Sequence, residues 1–247
     1  MRPFSLVLTI ALCSCFLDAA EAAAQKPADS AALDAVLKKM DAAAASFRAT
    51  QADFEWDRYE RVIQEVDDVQ TGTIYYRRTG KDKNIEMMAD IKMEGSSAAT
   101  LKPEPKYVLF SQGKIRMYQP KPDQVTEYNL GKNASDFESY LVLGFGGSGQ
   151  DLAKAFDLTY EGAETIDGVA TAKLQLVPKS ERVRNNFKQI LLWIDVDRGI
   201  SLQQKFIEPQ GDYRLAKYSA IRVKEKISDD VFKLKTTSKT TTISPRG

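Results

Sequence analysis

A chain of 247 residues with 35 Lys and Arg against 34 Asp and Glu, a formal net charge of +1, lacks the basic excess by which nucleic-acid proteins neutralise phosphate. It contains no histidine, which removes the commonest general base at neutral pH and the commonest metal ligand.

The first residues read as a targeting segment. Arg2 supplies a positive start, Phe4 to Leu17 an apolar run, and Ala22-Ala23-Ala24 a small-residue cleavage pattern before Gln25. Residues 1–24 are therefore expected to be a cleaved signal peptide, which sends the chain to the periplasm. Cleavage there removes both cysteines, Cys13 and Cys15, and with them any thiol nucleophile, disulfide or thiolate metal site. An alternative keeps one of them: Leu12-Cys13-Ser14-Cys15 loosely resembles a bacterial lipobox, with Cys15 as a lipid anchor. No later stretch approaches the length of apolar sequence that spans a bilayer as a helix. Residues 25–235 are read as a single domain, followed by a polar tail, 236–247, too hydrophilic to pack.

Ser30 stands as a candidate N-cap for an amphipathic helix in which Leu33, Val36, Leu37, Met40, Ala44 and Phe47 recur at three- and four-residue steps. The period then drops to two. Phe54 and Trp56 alternate with Asp53, Glu55 and Asp57, giving a strand with one dry face. Further strands are predicted at 69–78 and 85–93, with a small polar loop at 94–100. Tyr107 to Leu130 follows as a three-strand meander, turned at Gln112-Gly113-Lys114 and at Pro120 to Asp123.

The alternation breaks after Gly131. Ser135 to Phe156 reads as two short helices around the glycine-rich hinge Gly144 to Gly149. Strands resume at 157–160, 170–177, 188–195, 200–208 and 213–224, with a short element at 229–234. Strands following one another without a crossover helix make an antiparallel sheet. The fold class is α+β, mainly β, with about 10–11 strands, an N-terminal helix and a mid-chain helical insertion.

Few motifs carry chemistry. The glycine run lacks the Lys-Ser/Thr of a phosphate loop and the βαβ context of a dinucleotide fold. The acidic pairs Asp67/Asp68, Asp195/Asp197 and Asp229/Asp230 sit in turn-like stretches without calcium-ligand spacing. Lys179 to Arg184 reads chiefly as a solvated connection between strands. No cofactor, metal site or catalytic residue is predicted, although serine-lysine or paired-carboxylate chemistry stays open. The adjacent Arg77 and Arg78 are more informative, because strand alternation places Ile74, Tyr76 and Arg78 on one face and Tyr75 and Arg77 on the other. If the first face is concave, a guanidinium points into it and needs an acceptor across the opening.

The order of a helix, the GTIYYRR strand, the LFSQGKIRMYQPKPDQV meander, an apolar insertion, LQLVPK and the FKQILLWIDVDRGISLQQKFIEPQGD hairpin resembles the LolA-like outer-membrane lipoprotein carrier and sorting family. The resemblance runs from about Leu33 to Leu234. It implies an incomplete antiparallel β-barrel under a helical lid, and the carriage of lipid-modified proteins across the periplasm, from an inner-membrane donor complex to an outer-membrane acceptor, by a monomer. The family's strand arginine, which bonds lid backbone, falls on Arg78; Thr79 follows where the family usually has proline. On this reading Phe54, Trp56, Ile74, Tyr76, Ile115 and Met117 line a lipid cavity, and Tyr140, Leu141, Leu143, Phe145, Leu152 and Phe156 belong to the lid. The simpler alternative is that the strand residues merely fill a barrel core. A dry cavity suits the task, since burying a chain of ~16 carbons is worth on the order of 12 kcal/mol. A regulatory or sensor module of the same fold, acting through an envelope protein, is the second reading.

Overall fold

Period-two segments separated by short turns pair with their sequence neighbours as antiparallel hairpins. In the computed structural model, which describes residues 17–79, 84–131, 143–224 and 226–245, with side chains from residue 29 onward, these segments build one sheet. Its front half is β1 (Ala49–Glu60), β2 (Glu65–Thr79), β3 (Asn84–Gly95), β4 (Lys102–Ser111), β5 (Lys114–Gln119) and β6 (Gln124–Asn129). The back half is β7 (Phe156–Ile166), β8 (Val169–Pro178), β9 (Gln189–Asp195), β10 (Ile200–Ile207) and β11 (Tyr213–Lys224), and β12 (Thr241–Ile243) joins at the end. The order across the 12-stranded sheet is β12-β6-β5-β4-β3-β2-β1-β11-β10-β9-β8-β7. β1 is the seam between the halves. It pairs with β2 from Ala49↔Arg77 to Glu60↔Glu65, and with β11 from Ala49↔Lys224 to Tyr59↔Tyr213. The outermost strands, β12 and β7, do not pair with one another, so the sheet is an incomplete barrel.

The apolar residues sort into three clusters. On one face of the front half, Ala52, Phe54, Ile74, Tyr76, Met87, Ala89 and Phe110 pack with Ala216 and Tyr218 of β11, and Phe47 and Phe145 close over them. On the opposite face, Ala49, Met88 and Leu109 meet Ile227 and Phe232. β3 is therefore buried on both sides, which explains the adjacent Met87 and Met88 in a strand that would otherwise alternate. The third cluster joins Leu174, Leu176, Ile190, Leu192 and Ile194 of the back half to Val36 and Met40 of the helix.

The helix, α1, spans Leu17–Ser46. The start expected at Ser30 is not where it begins: the alanine-rich stretch before it has the highest helix propensity of any residue type and continues the helix backward. Among the described residues two shorter α-helices follow, α2 (Gly149–Ala155), capped by the Ser148 hydroxyl accepting from the Asp151 N–H at 3.0 Å, and α3 (Glu181–Arg184). Among the described residues no helix is long and apolar enough to cross a membrane.

The expectation that 236–247 is too polar to pack is corrected. β12 runs parallel to β6, with Thr241 opposite Gln124 and Ile243 opposite Thr126. Polar bonds rather than apolar burial hold it. Asp123, at the β5–β6 turn, accepts from the hydroxyls of Thr237 (2.6 Å), Thr240 (2.6 Å) and Tyr118 (3.1 Å), and its carbonyl accepts from the Thr241 N–H at 3.1 Å. The two threonine hydroxyls hold the Asp123 carboxyl below the usual carboxylate range. A carboxylate with a depressed folded-state pKa contributes stability above its unfolded value, about 3.9, and loses it as pH falls through the lower folded value. Protection factors of the amides across 237–243, corrected for the intrinsic pH dependence of exchange, should accordingly be high at pH 5–7 and fall on acidification below about 3.9. Asp123→Ala should release the same segment at neutral pH, as read by hydrogen exchange or limited proteolysis.

Candidate functional site

The concave side of the seam is not filled. β1, β2, β10 and β11 supply Trp56, Ile74, Tyr76, Gln204, Phe206, Ala216 and Tyr218 to a cavity of ≈ 580 Å³, with Met87, Leu130, Val183 and Phe187 completing its apolar wall. That volume falls within the range of about 300–1,000 Å³ typical of small-molecule sites. Charged side chains gather on the same lining: Asp57, Arg58, Asp68, Arg182 and Arg214. Arg58 is engaged by Asp67 through Nε at 2.9 Å and Nη2 at 2.5 Å, and Asp57 by Lys217 at 3.0 Å. Burial, reinforced by Glu94, raises the Asp68 carboxyl. The interior polar groups are neutral. Burial pushes the phenols of Tyr76 and Tyr218 upward, so both keep their protons at neutral pH.

The segment from Leu143 to Ser148 packs against three residues of that lining, Gln204, Tyr76 and Tyr218. Three of its carbonyls are held by three different donors. Gln204 Nε2 donates to Leu143, the Ser201 N–H to Gly144 at 3.1 Å, and Arg78 Nη2 to Gly146 at 2.5 Å. Between them the Phe145 ring stacks on Tyr76 at 4.9 Å and meets Tyr218 edge-on at 4.8 Å, contacts worth about 0.5–1.5 kcal/mol each beyond area burial. The two glycines are sterically required. Both have positive φ, +74 and +85; a Cβ on Gly144 would lie 2.1 Å from Ser201 Cβ, and one on Gly146 would lie 2.6 Å from the Phe47 ring.

Alternation within β2 separates the two arginines as the sequence pattern requires. Arg78 turns to the concave face, 5.9 Å from the Phe47 ring, where burial lowers its pKa and its Nε has no acceptor among the described residues. Arg77 turns outward, bonds Glu86 at 2.8 Å and Asp229 at 2.5 Å, and covers the Phe232 ring at 4.0 Å. Asp229 is thus an ordinary ion-pair partner. Asp195 is likewise a turn residue, accepting from the N–H groups of Asp197 and Arg198 at 2.9 and 3.0 Å.

The residues singled out from sequence divide. Trp56, Ile74 and Tyr76 line the cavity. Phe54 lies behind Trp56, rings 4.1 Å apart, within the apolar cluster, and Ile115 packs against that cluster from β5. Met117 is half-buried opposite Val108 and does not reach the lining. Of the lid candidates, Phe145 alone among the described residues meets the concave cluster. Leu143, Leu152 and Phe156 belong to the core between the helices and the back half, because the chain crosses from one cluster to the other at Gly144. Tyr140 and Leu141 lie outside the described residues. The connection after Lys179, read as solvated, instead supplies part of the wall through Val183 and Phe187. Ala216 and Tyr218 could have been found from their alternation with Lys217. Gln204 could not, since nothing in a sequence marks a glutamine as inward.

Two variants test the closure. Arg78→Leu removes a charge-assisted hydrogen bond worth about 1.5 kcal/mol, so amide exchange over 143–148 should accelerate roughly tenfold while that of the buried Ile190 to Ile194 stays unchanged. Gly144→Ala should lower global stability by more than about 1 kcal/mol in denaturant titration, from backbone strain and the clash with Ser201 together.

No protein-family model and no curated protein matches the chain. Solved structures do. An uncharacterised conserved protein from Thermus thermophilus is 10% identical, with 85% of this chain and 97% of that one covered and a TM-score of 0.51. The lipoprotein LppX of Mycobacterium tuberculosis is 11% identical over 80% of this chain and 97% of that one, with a TM-score of 0.47. A LolA superfamily protein from Nitrosomonas europaea is 12% identical over 81% and 97%, with a TM-score of 0.39. At such identities the likeness is one of fold, shared over most of both chains with the Thermus thermophilus protein.

Proposed function

We propose that this chain carries the acyl chains of a lipid or a lipid-modified protein in the cavity between β1, β2, β10 and β11, after export to the periplasm behind a signal peptide at residues 1–24. The observation that carries the reading is an apolar cavity left unfilled inside an otherwise packed sheet, walled by Trp56, Ile74, Tyr76, Phe206 and Tyr218. A cavity that is only a packing defect costs stability, whereas one that shelters hydrocarbon gains about 0.8 kcal/mol per buried CH₂. The segment from Leu143 to Ser148, seated against the cavity residues Tyr76, Tyr218 and Gln204, supports the same reading as the cover of the carrier, because a carrier must hide its cavity when empty and open it to load. The sequence resemblance to the lipoprotein-sorting family supports it as well. Carriage of this kind requires no bond to be broken.

Purification from an exporting host, followed by mass spectrometry of extracted lipid, is the direct test. Ala216 sits on the cavity wall beside Trp56, so Ala216→Phe should fill part of the volume and cut co-purifying lipid about tenfold or more while the sheet stays folded by circular dichroism. Wild-type protein free of lipid, or a variant that retains as much as wild type, would overturn the reading.

A further inference from the structure

Gln204 is 4% exposed, and a buried carboxamide without a purpose is a cost. Its bonds tie two parts of the site together. Leu143 offers a carbonyl, which can only accept, so the nitrogen of the carboxamide must face it and the oxygen is left to accept from the Tyr218 hydroxyl at 3.3 Å. A carboxamide nitrogen carries two hydrogens. Leu143 takes one, and among the described residues no acceptor takes the other, although the side chain lines the cavity. Beside it on the lining stand Phe206 on the same strand, Ala216 opposite it and the protonated phenol of Tyr218.

We propose that Gln204 is the specificity-determining residue of this cavity: its second amide hydrogen reads the carbonyl oxygen of an acyl ester or acyl amide, and its bond to Leu143 couples that recognition to closure. The inference rests on the carrier reading and names the polar feature the cargo must have. A bare alkyl or ether-linked chain fills the same volume but leaves the donor unpaired. An acyl carbonyl satisfies it without displacing Leu143, so the ligand and the closed segment hold one side chain in a single orientation and favour one another.

The test compares 1-lauroylglycerol with 1-O-dodecylglycerol, which differ at the carbonyl, by calorimetric titration of the wild-type protein and of Gln204→Met. Wild type should bind the ester roughly two- to tenfold more tightly than the ether, and the ratio should fall to about one in Gln204→Met. Hydrogen exchange over 143–148 needs no variant: the ester should slow it more than the ether at equal saturation. A lauroylated peptide titrated in parallel distinguishes a lipidated polypeptide from a free glycerolipid as the source of the carbonyl. Equal affinity for ester and ether in wild type, or a preference that survives in Gln204→Met, overturns the role of Gln204 and leaves the carrier reading standing. Binding of neither ligand overturns both.

Discussion

A guanidinium turned onto an apolar concave face is the constraint around which the closed site is arranged. Arg78 cannot lose its charge at any accessible pH, so the fold must bring an acceptor to it. Among the described residues its hydrogen-bond acceptor is the Gly146 carbonyl, delivered by a segment that crosses from the back-half core to the front-half cluster. Glycine at 144 and 146 lets the backbone approach Ser201 and Phe47 closely enough. Phe145 then lands between Tyr76 and Tyr218. One half-buried charge thus accounts for a backbone path, two glycines and an aromatic plug. Its satisfaction is incomplete, since among the described residues Nε lacks a partner, and a half-satisfied contact is easier to open than a fully bonded one.

The division of the sheet into halves explains how a cavity survives in a protein that otherwise packs tightly. The helices α1 and α2 cover β7, β8 and β9 and form a complete core with them. Among the described residues no helix of comparable length covers the concave side of the front strands, where Phe47 and Phe145 reach across. Space remains where the two halves meet at β1 and β11, and the side chains there, Ala216 among them, are too small or too far apart to fill it. On the convex side the C-terminal turn, clamped by Arg77 through Asp229 and Phe232, supplies the second burial that β3 requires.

Much of this was legible from local pattern. The alternation of Phe54 and Trp56 with their acidic neighbours, the opposed faces of Arg77 and Arg78, and the turns at Gly113 and Asp123 follow from a period of two and from turn chemistry, which depend on neighbours in the chain. The start of α1 was misplaced because a good N-cap residue does not compel a helix to begin when alanines precede it. The C-terminal strand was missed because its anchors are hydroxyls bonding a distant aspartate, an interaction with no hydrophobic signature.

The sequence by itself determined an antiparallel, mainly β chain with an N-terminal helix, a glycine-rich crossing and an arginine bound for the concave face, because each of these depends on short-range periodicity and backbone sterics. Only the tertiary structure decided which inward residues border empty space and which bury one another, so that Trp56 and Tyr76 line the cavity while Phe54 and Leu152 do not. It also decided that a glutamine on β10 would meet a carbonyl beyond the crossing. Those outcomes depend on the curvature of the sheet and on the distance between elements far apart in the chain, which no local pattern encodes.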